Sequence, residues 1–248
     1  MSGPTALIVD VGATTIKSAR FDDRGEQIGN KNKRRTIFPC TPDVFMSIIG
    51  DLVSRHDTRA LAVGFPGETV NGVVHDGANL TRLGGPGTVI DDQLVQQWRH
   101  FDLQRELASY CSLQVVVEND AAFAARGCAT GEGTELVVTL GSGCGLALLK
   151  SGQLVQVRDV GSEILTQGKS YDEVLGEKGR RKSEGGWVIH VVSAVGALAN
   201  EFGATSIHLC GGNARRLSRH SFGAMSHRVF IERNDCALLG GFRSLDLS

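Results

Sequence analysis

The sequence predicts an α/β architecture. Three observations carry this: apolar strand-like runs alternate with segments of helical period, glycines cluster at strand ends, and one strand–turn–strand plan occurs twice. The first copy runs from Ala6-Leu7-Ile8-Val9 through Asp10-Val11-Gly12-Ala13-Thr14-Thr15 to a second extended stretch, Ile16 to Phe21. Two strands joined by a Gly/Thr turn fit this pattern. A helix is predicted over Pro42 to Arg55, with Thr41 as cap, Pro42 in the first position, and Val44, Phe45, Ile48, Ile49 and Leu52 at helical spacing. Strands are predicted at Ala60 to Gly64 and Leu113 to Val117, with a helical, polar-faced stretch from Asp91 to Ser109 between them. The second copy is Leu136 to Leu140, Gly141-Ser142-Gly143-Cys144-Gly145, then Leu146 to Leu149. Residues 152–186 are polar and mixed in charge and are expected to form an exposed loop region with short elements. A helix over Trp187 to Phe202, a strand over Ser206 to Cys210 running into Gly211-Gly212-Asn213, and a helix from Asp235 to Leu245 complete the pattern.

Composition removes several function classes. The 248 residues are 41% hydrophobic and 21% charged, with a formal net charge of −1. No apolar run reaches the ~18 residues of a membrane span, so no membrane role is expected. Met1 to Thr5 carries no basic n-region, and a cytoplasmic setting is expected. Near-neutral charge gives no global reason to expect nucleic acid. The six cysteines are scattered without a C-x-x-C pair, so neither a zinc site nor a disulfide framework is expected. His75, His190 and His208 lie far apart and are expected to be core or surface residues. The basic runs Lys31 to Arg35 and Lys178 to Lys182, with Arg215, Arg216 and Arg219, fit a solvated surface, and binding of a polyanion stays open beside it.

Phosphoryl transfer asks a protein for positioned phosphates, a metal and a base on the accepting hydroxyl. Asp10 ends a strand and is followed by Gly12, Thr14, Thr15 and Lys17, small or basic residues that let backbone N–H groups approach phosphate while the carboxylate meets hydrated Mg²⁺. Gly141, Ser142, Gly143 and Gly145 offer the same chemistry in the second copy, as expected if two similar lobes each supply a phosphate-binding hairpin to a shared cleft. Either stretch is equally compatible with an ordinary β-turn. Glu118-Asn119-Asp120 follows an apolar strand and precedes Ala121, Ala122, Ala124 and Ala125, which places a carboxylate at a helix N-terminus, as a cap or as a catalyst.

Six stretches in order resemble the ROK (repressor, open reading frame, kinase) sugar kinases, in particular the polyphosphate-dependent glucokinase or glucomannokinase branch. They are Val9 to Lys17; Gly64-Phe65-Pro66-Gly67 with Gly72-Val73-Val74 and Ala78-Asn79-Leu80; Val117-Glu118-Asn119-Asp120-Ala121; Leu140 to Gly145; Leu209-Cys210-Gly211-Gly212-Asn213; and Cys236 to Gly241. The resemblance implies two ribonuclease H-like lobes of the actin-like ATPase fold closing on a sugar. One lobe spans residues 1–122, with the helix 235–248 packing back on it, and the other 123–234. It implies Asp120 as catalytic base, sugar contacts from Asn79, Asn119 and Asp120, and Gly211, Gly212 and Asn213 near the nucleotide or polyphosphate. Mg²⁺ at Asp10, ATP or inorganic polyphosphate as donor, a hexose as acceptor and a homodimer follow from the same likeness. Relatives carry Glu-x-Gly-His after the second phosphate motif, contacting the sugar; here Asp159-Val160-Gly161-Ser162-Glu163 stands in its place, so Asp159, Ser162 and Glu163 are the candidate sugar contacts and the pocket differs from that of an ordinary glucokinase. The altered segment motivates a second reading, a non-catalytic sugar or nucleotide sensor. A DNA-binding regulator is not expected, because the first phosphate-motif strand begins at once, leaving no room for an N-terminal helix-turn-helix.

Overall fold

The computed structural model describes residues 5–158, 160–233 and 235–245. The chain divides into two units: Met1–Phe123 with Ala237–Ser248, and Ala124–Cys236.

In the first unit, β1 (Ala6–Val11), β2 (Thr15–Phe21), β3 (Gln27–Arg35), α1 (Pro42–Ser54), β4 (Ala60–Phe65), β5 (Glu68–Val70) and β6 (Val73–Asp76) follow in order. A 3₁₀ turn at Ala78–Thr81, α2 (Asp92–Trp98), α3 (Leu103–Cys111), β7 (Gln114–Asn119) and the start of α4 (Asp120–Cys128) come next. The sheet has the order β3-β2-β1-β4-β7. β1, β4 and β7 are parallel, and β2 and β3 extend the sheet antiparallel. The central strands β1 and β4 are buried throughout, as expected of strands covered on both faces.

Side-chain alternation sorts the two faces. Leu7, Val9 and Val11 point into a core with Phe45, Ile49, Leu61, Val63 and Trp98. Ala6 and Ile8 point to the other face, under Phe123 and Leu238. Helix α1 begins where the sequence places it: Thr41 Oγ1 accepts from Val44 N at 3.2 Å, and Phe45, Ile48, Ile49 and Leu52 form its buried stripe. The polar-faced stretch from 91 to 109 is two helices rather than one. His100 takes a φ of 62°, its N–H donates to Val74 O at 2.7 Å, and Val74 N donates to Phe101 O at 2.9 Å. A tertiary pairing with β6 thus overrides local helix propensity, and Asp102 caps the new helix through Arg105 N.

The second unit holds β8 (Thr134–Leu140), β9 (Cys144–Lys150), β10 (Gln153–Arg158), β11 (Ile164–Thr166), β12 (Lys169–Ser170), α5 (Tyr171–Leu175), α6 (Glu177–Lys182), α7 (Glu184–Phe202), β13 (Ser206–Cys210) and β14 (Arg228–Ile231). Its sheet order is β10-β9-β8-β13-β14, with β13 parallel to β8 and β14. One face packs on α7 through Trp187, Val191, Val195 and Leu198. Within the polar region 152–186, β10 pairs with β9, and α5 is tied to α7 by Trp187, whose Nε1 donates to Leu175 O at 2.6 Å. The last helix, α8 (Cys236–Ser244), follows β14 and carries Leu238 back to the first unit's core. No described helix is long and apolar enough to cross a membrane.

Trp98 is fully buried, edge-on to Phe45 at 5.4 Å and Phe101 at 5.9 Å, and its Nε1 donates to Cys40 O at 2.8 Å. Trp98→Ala is expected to lower stability by about 3–5 kcal/mol, the range for truncating a buried aromatic, seen as a lower midpoint in urea unfolding.

Candidate functional site

In the first unit, the parallel strands bring their carboxyl ends to one edge, the usual ligand edge of such a sheet. Register pairs Asp10 with Gly64 and Gly64 with Glu118, and across the hairpin Asp10 with Lys17. Asp10 alternates with Ala6 and Ile8, so it shares the face on which Phe123 of α4 packs. It is 6% exposed, and its Oδ2 accepts from Lys17 Nζ at 2.9 Å. Gly64 sits between Asp10 and the helix. A Cβ there would stand 3.0 Å from the Phe123 ring and 3.6 Å from Asp120 Cα. The bare backbone of β4 therefore lets the first residue of α4, half-buried Asp120, settle at the same end and face of the sheet as Asp10.

The hairpin after Asp10 is shaped by its own bonds. Gly12 N donates to Thr15 O at 3.0 Å, Thr36 N to Thr14 O at 3.2 Å and Thr36 Oγ1 to Gly12 O at 2.8 Å. Asn119 is committed on both sides of its amide: Nδ2 donates to Gly67 O and Oδ1 accepts from Ala121 N, each at 2.8 Å. It ties the loop after β4 to the start of α4 and retains one N–H for a ligand. Asn79 lies half-buried in the 3₁₀ turn after β6, where Ala78 has a φ of 45° and its N–H donates to Asp76 Oδ1 at 2.8 Å.

In the second unit, Gly141 N donates to Gly143 O at 2.9 Å and Gly145 N to Thr139 Oγ1 at 3.0 Å. Cys144 N donates to Asp172 Oδ1 at 2.8 Å. Asp172 fills the space that side chains at Gly143 and Gly161 would need, since a Cβ at either would come within 2.4 and 2.5 Å of Oδ1. Asp172 is a residue the motifs do not mark. It lies inside the capping box formed by Ser170 and Glu173, which disguises it as part of an ordinary helix start. Asn213 joins the late glycine motif to this turn, with N donating to Leu140 O at 2.9 Å and Nδ2 to Gly141 O at 2.7 Å. Ser142 and Gly212 remain exposed beside it.

The segment in place of Glu-x-Gly-His is only partly described, since Asp159 lies outside the described residues. Ser162 is exposed, and the Glu163 carboxylate is gripped by Arg158, Nε to Oε1 at 2.9 Å and Nη2 to Oε2 at 2.7 Å. His208 is buried and satisfied by carboxylates, with Nδ1 2.7 Å from Glu232 and Nε2 3.4 Å from Glu135. Of the basic runs, the first is the exposed part of edge strand β3, in which Lys33 pairs with Lys17 and Arg35 with Thr15.

These two sheets, with a glycine turn at the first hairpin of each, have the fold of the actin-like ATPase sugar kinases. A sequence profile of the ROK family matches residues 6–161, more than half of the chain, and the chain belongs to that family. It is 27% identical over 224 residues to the polyphosphate glucokinase of Mycobacterium leprae, an alignment covering 85% of this chain and 64% of that one. It superposes on the inorganic polyphosphate/ATP-glucomannokinase of Arthrobacter sp. strain KM with a TM-score of 0.79 at 22% identity, covering 98% of each chain. A ROK family glucokinase from Streptomyces griseus, solved with glucose and AMPPNP, gives 0.72 at 18% identity over 98% of this chain and 100% of that one. Likeness at such identities establishes the fold.

Replacing Asp172 removes a charged acceptor from the Cys144 N–H and leaves Gly143 and Gly161 without their support. Asp172→Ala is expected to cost about 1.5–3 kcal/mol in chemical unfolding, the range for a hydrogen bond to a charged group, and Asp172→Asn, which keeps an acceptor oxygen, distinctly less.

Proposed function

We propose that the protein is a sugar kinase that transfers a phosphoryl group from ATP or inorganic polyphosphate to a hexose hydroxyl, with Asp120 as the general base. The observation that carries this is the seating of Asp120 against Gly64, on the sheet face and strand edge that also hold Asp10. Asp120 is the first residue of α4, at the end of the helix where a negative charge faces the favourable pole of the backbone dipoles, and in this reading its carboxylate accepts the proton of the sugar hydroxyl. The sugar hydroxyl would lie against Asp120, with Asn79 and the remaining N–H of Asn119 as further polar contacts. Ser162 and Glu163 are weaker candidates than their positions imply, because one faces solvent and the other is paired with Arg158.

The donor set also fits Mg²⁺. Asp10 is a buried carboxylate whose Oδ2 is taken by Lys17, and one such carboxylate suits an ion held mainly by phosphate oxygens and water. Bound there, the ion would neutralise charge on the donor phosphates. In this reading the backbone N–H groups of the turn after Asp10 contact the donor phosphates. Lys33 and Arg35, exposed and paired with Lys17 and Thr15, favour a polyanionic chain longer than a triphosphate.

Purified protein with Mg²⁺ should phosphorylate at least one of glucose, mannose or an N-acetylated hexosamine with ATP or polyphosphate. Asp120→Asn should lower kcat about 10²–10⁴-fold while circular dichroism and the unfolding midpoint stay unchanged. Wild-type turnover in that variant would remove Asp120 from the chemistry. Sugar binding without turnover for any donor would replace the kinase by a sensor. For polyphosphate, the double variant Lys33→Ala/Arg35→Ala should raise KM and flatten its dependence on salt while KM for ATP stays constant; a parallel rise for both donors would rule out a contact specific to the longer chain.

A further inference from the structure

Three cysteines far apart in sequence converge in the second unit. Cys128 ends α4, Cys210 ends β13 and Cys236 begins α8, and their Sγ atoms all lie within 4.8 Å of one another. Cys128 and Cys210 are buried, and Cys236 is half-buried. The approach is built into the backbone. A Cβ at Gly127 would stand 1.8 Å from Cys236 O, so only glycine lets α8 begin against the end of α4 and sets Cys128 beside Cys236. On β13, Cys210 pairs with Thr139 and its thiol approaches Val138 O at 3.7 Å, which fixes the third sulfur from the sheet side.

We propose that Cys128, Cys210 and Cys236 form a binding site for a soft, thiophilic metal ion such as Zn²⁺. Zinc–sulfur bonds of about 2.3 Å place thiolates sharing one ion about 4 Å apart, which the present spacing reaches with little movement. Soft thiolate sets of this kind select zinc and copper(I) over magnesium or calcium. Binding exchanges the three thiol protons, which pass to solvent, for one metal ion. Cys236 is the first residue of a nine-residue helix, and its partial exposure gives the ion a way in. Without metal, Cys210, hydrogen-bonded by Cys128 and Cys236 and cut off from water, is held well above the ordinary thiol range.

The site is distinct from the Mg²⁺ position proposed at Asp10, so it can be tested without turnover. Cobalt(II) added to the reduced full-length chain should give the near-ultraviolet thiolate-to-metal charge-transfer band, saturating at one ion per chain, and Zn²⁺ should abolish the band. Cys236→Ser should weaken Zn²⁺ affinity, measured against a chromophoric chelator, about 100-fold or more, beyond what loss of a neighbouring support costs a metal site. Cys111→Ser, outside the cluster, should leave it unchanged. In the unaltered chain, Zn²⁺ should slow alkylation of Cys236 in peptide mapping, with Cys40, whose thiol is pushed up to about 12 by burial, unreactive throughout. Absence of the charge-transfer band, retention of full affinity in Cys236→Ser, or alkylation of Cys236 indifferent to Zn²⁺ would overturn the proposal.

Discussion

Helix α4 starts where it does because β4 has no side chain at Gly64. A methyl there would press on the Phe123 ring and crowd Asp120 Cα, and the helix would have to lift from the sheet or slide along it. Either movement would separate Asp120 from the row that register imposes on Lys17, Asp10, Gly64 and Glu118. Strands about 4.8 Å apart fix the lateral spacing of that row, so its geometry is a property of the backbone rather than of flexible side chains. The Asn119 amide adds a second restraint by bonding Gly67 O and Ala121 N. Two carboxylates thus stand on one face of the sheet, one held by a lysine and the other by the head of a helix.

The second unit solves a related problem with a side chain. Its glycine turn takes hydrogen bonds from within, through Thr139 Oγ1 and the Gly143 carbonyl, and from outside, through Asp172 Oδ1. The carboxylate occupies volume that two glycines leave empty, and Asn213 closes the far side through Gly141 O. Satisfying backbone groups this way keeps the turn rigid without covering Ser142.

Local features were legible in the sequence where the chain's own neighbours decide them. The hairpin around Gly12, helix α1 with its Thr41 cap and the strand leading to Asn119 all rest on patterns within a few residues. Features that depend on distant partners were not. The break at His100 is made by Val74, the grip on Glu163 by Arg158 removes a carboxylate that the motif alone offers to a ligand, and Asp172 acts on a turn 28 residues away. The basic stretch at Lys31 to Arg35 looked like surface because alternation is weak in a strand exposed along most of its length. The three thiols carry no spacing signal at all, since only the fold brings positions 128, 210 and 236 together.

The first unit is discontinuous: its core beside β1 includes Leu238 and Leu245, which follow the whole of the second unit in the chain. During synthesis on a ribosome, the second unit has all its strands before that core can close. Until residues 237–245 emerge, the face of β1 and β2 bearing Ile8, Ala19 and Phe21 lacks part of its cover, a nascent state in which apolar surface waits on the last helix. The long loop closed by α8 makes this unit the slower to complete, whatever the speed of its local hairpins.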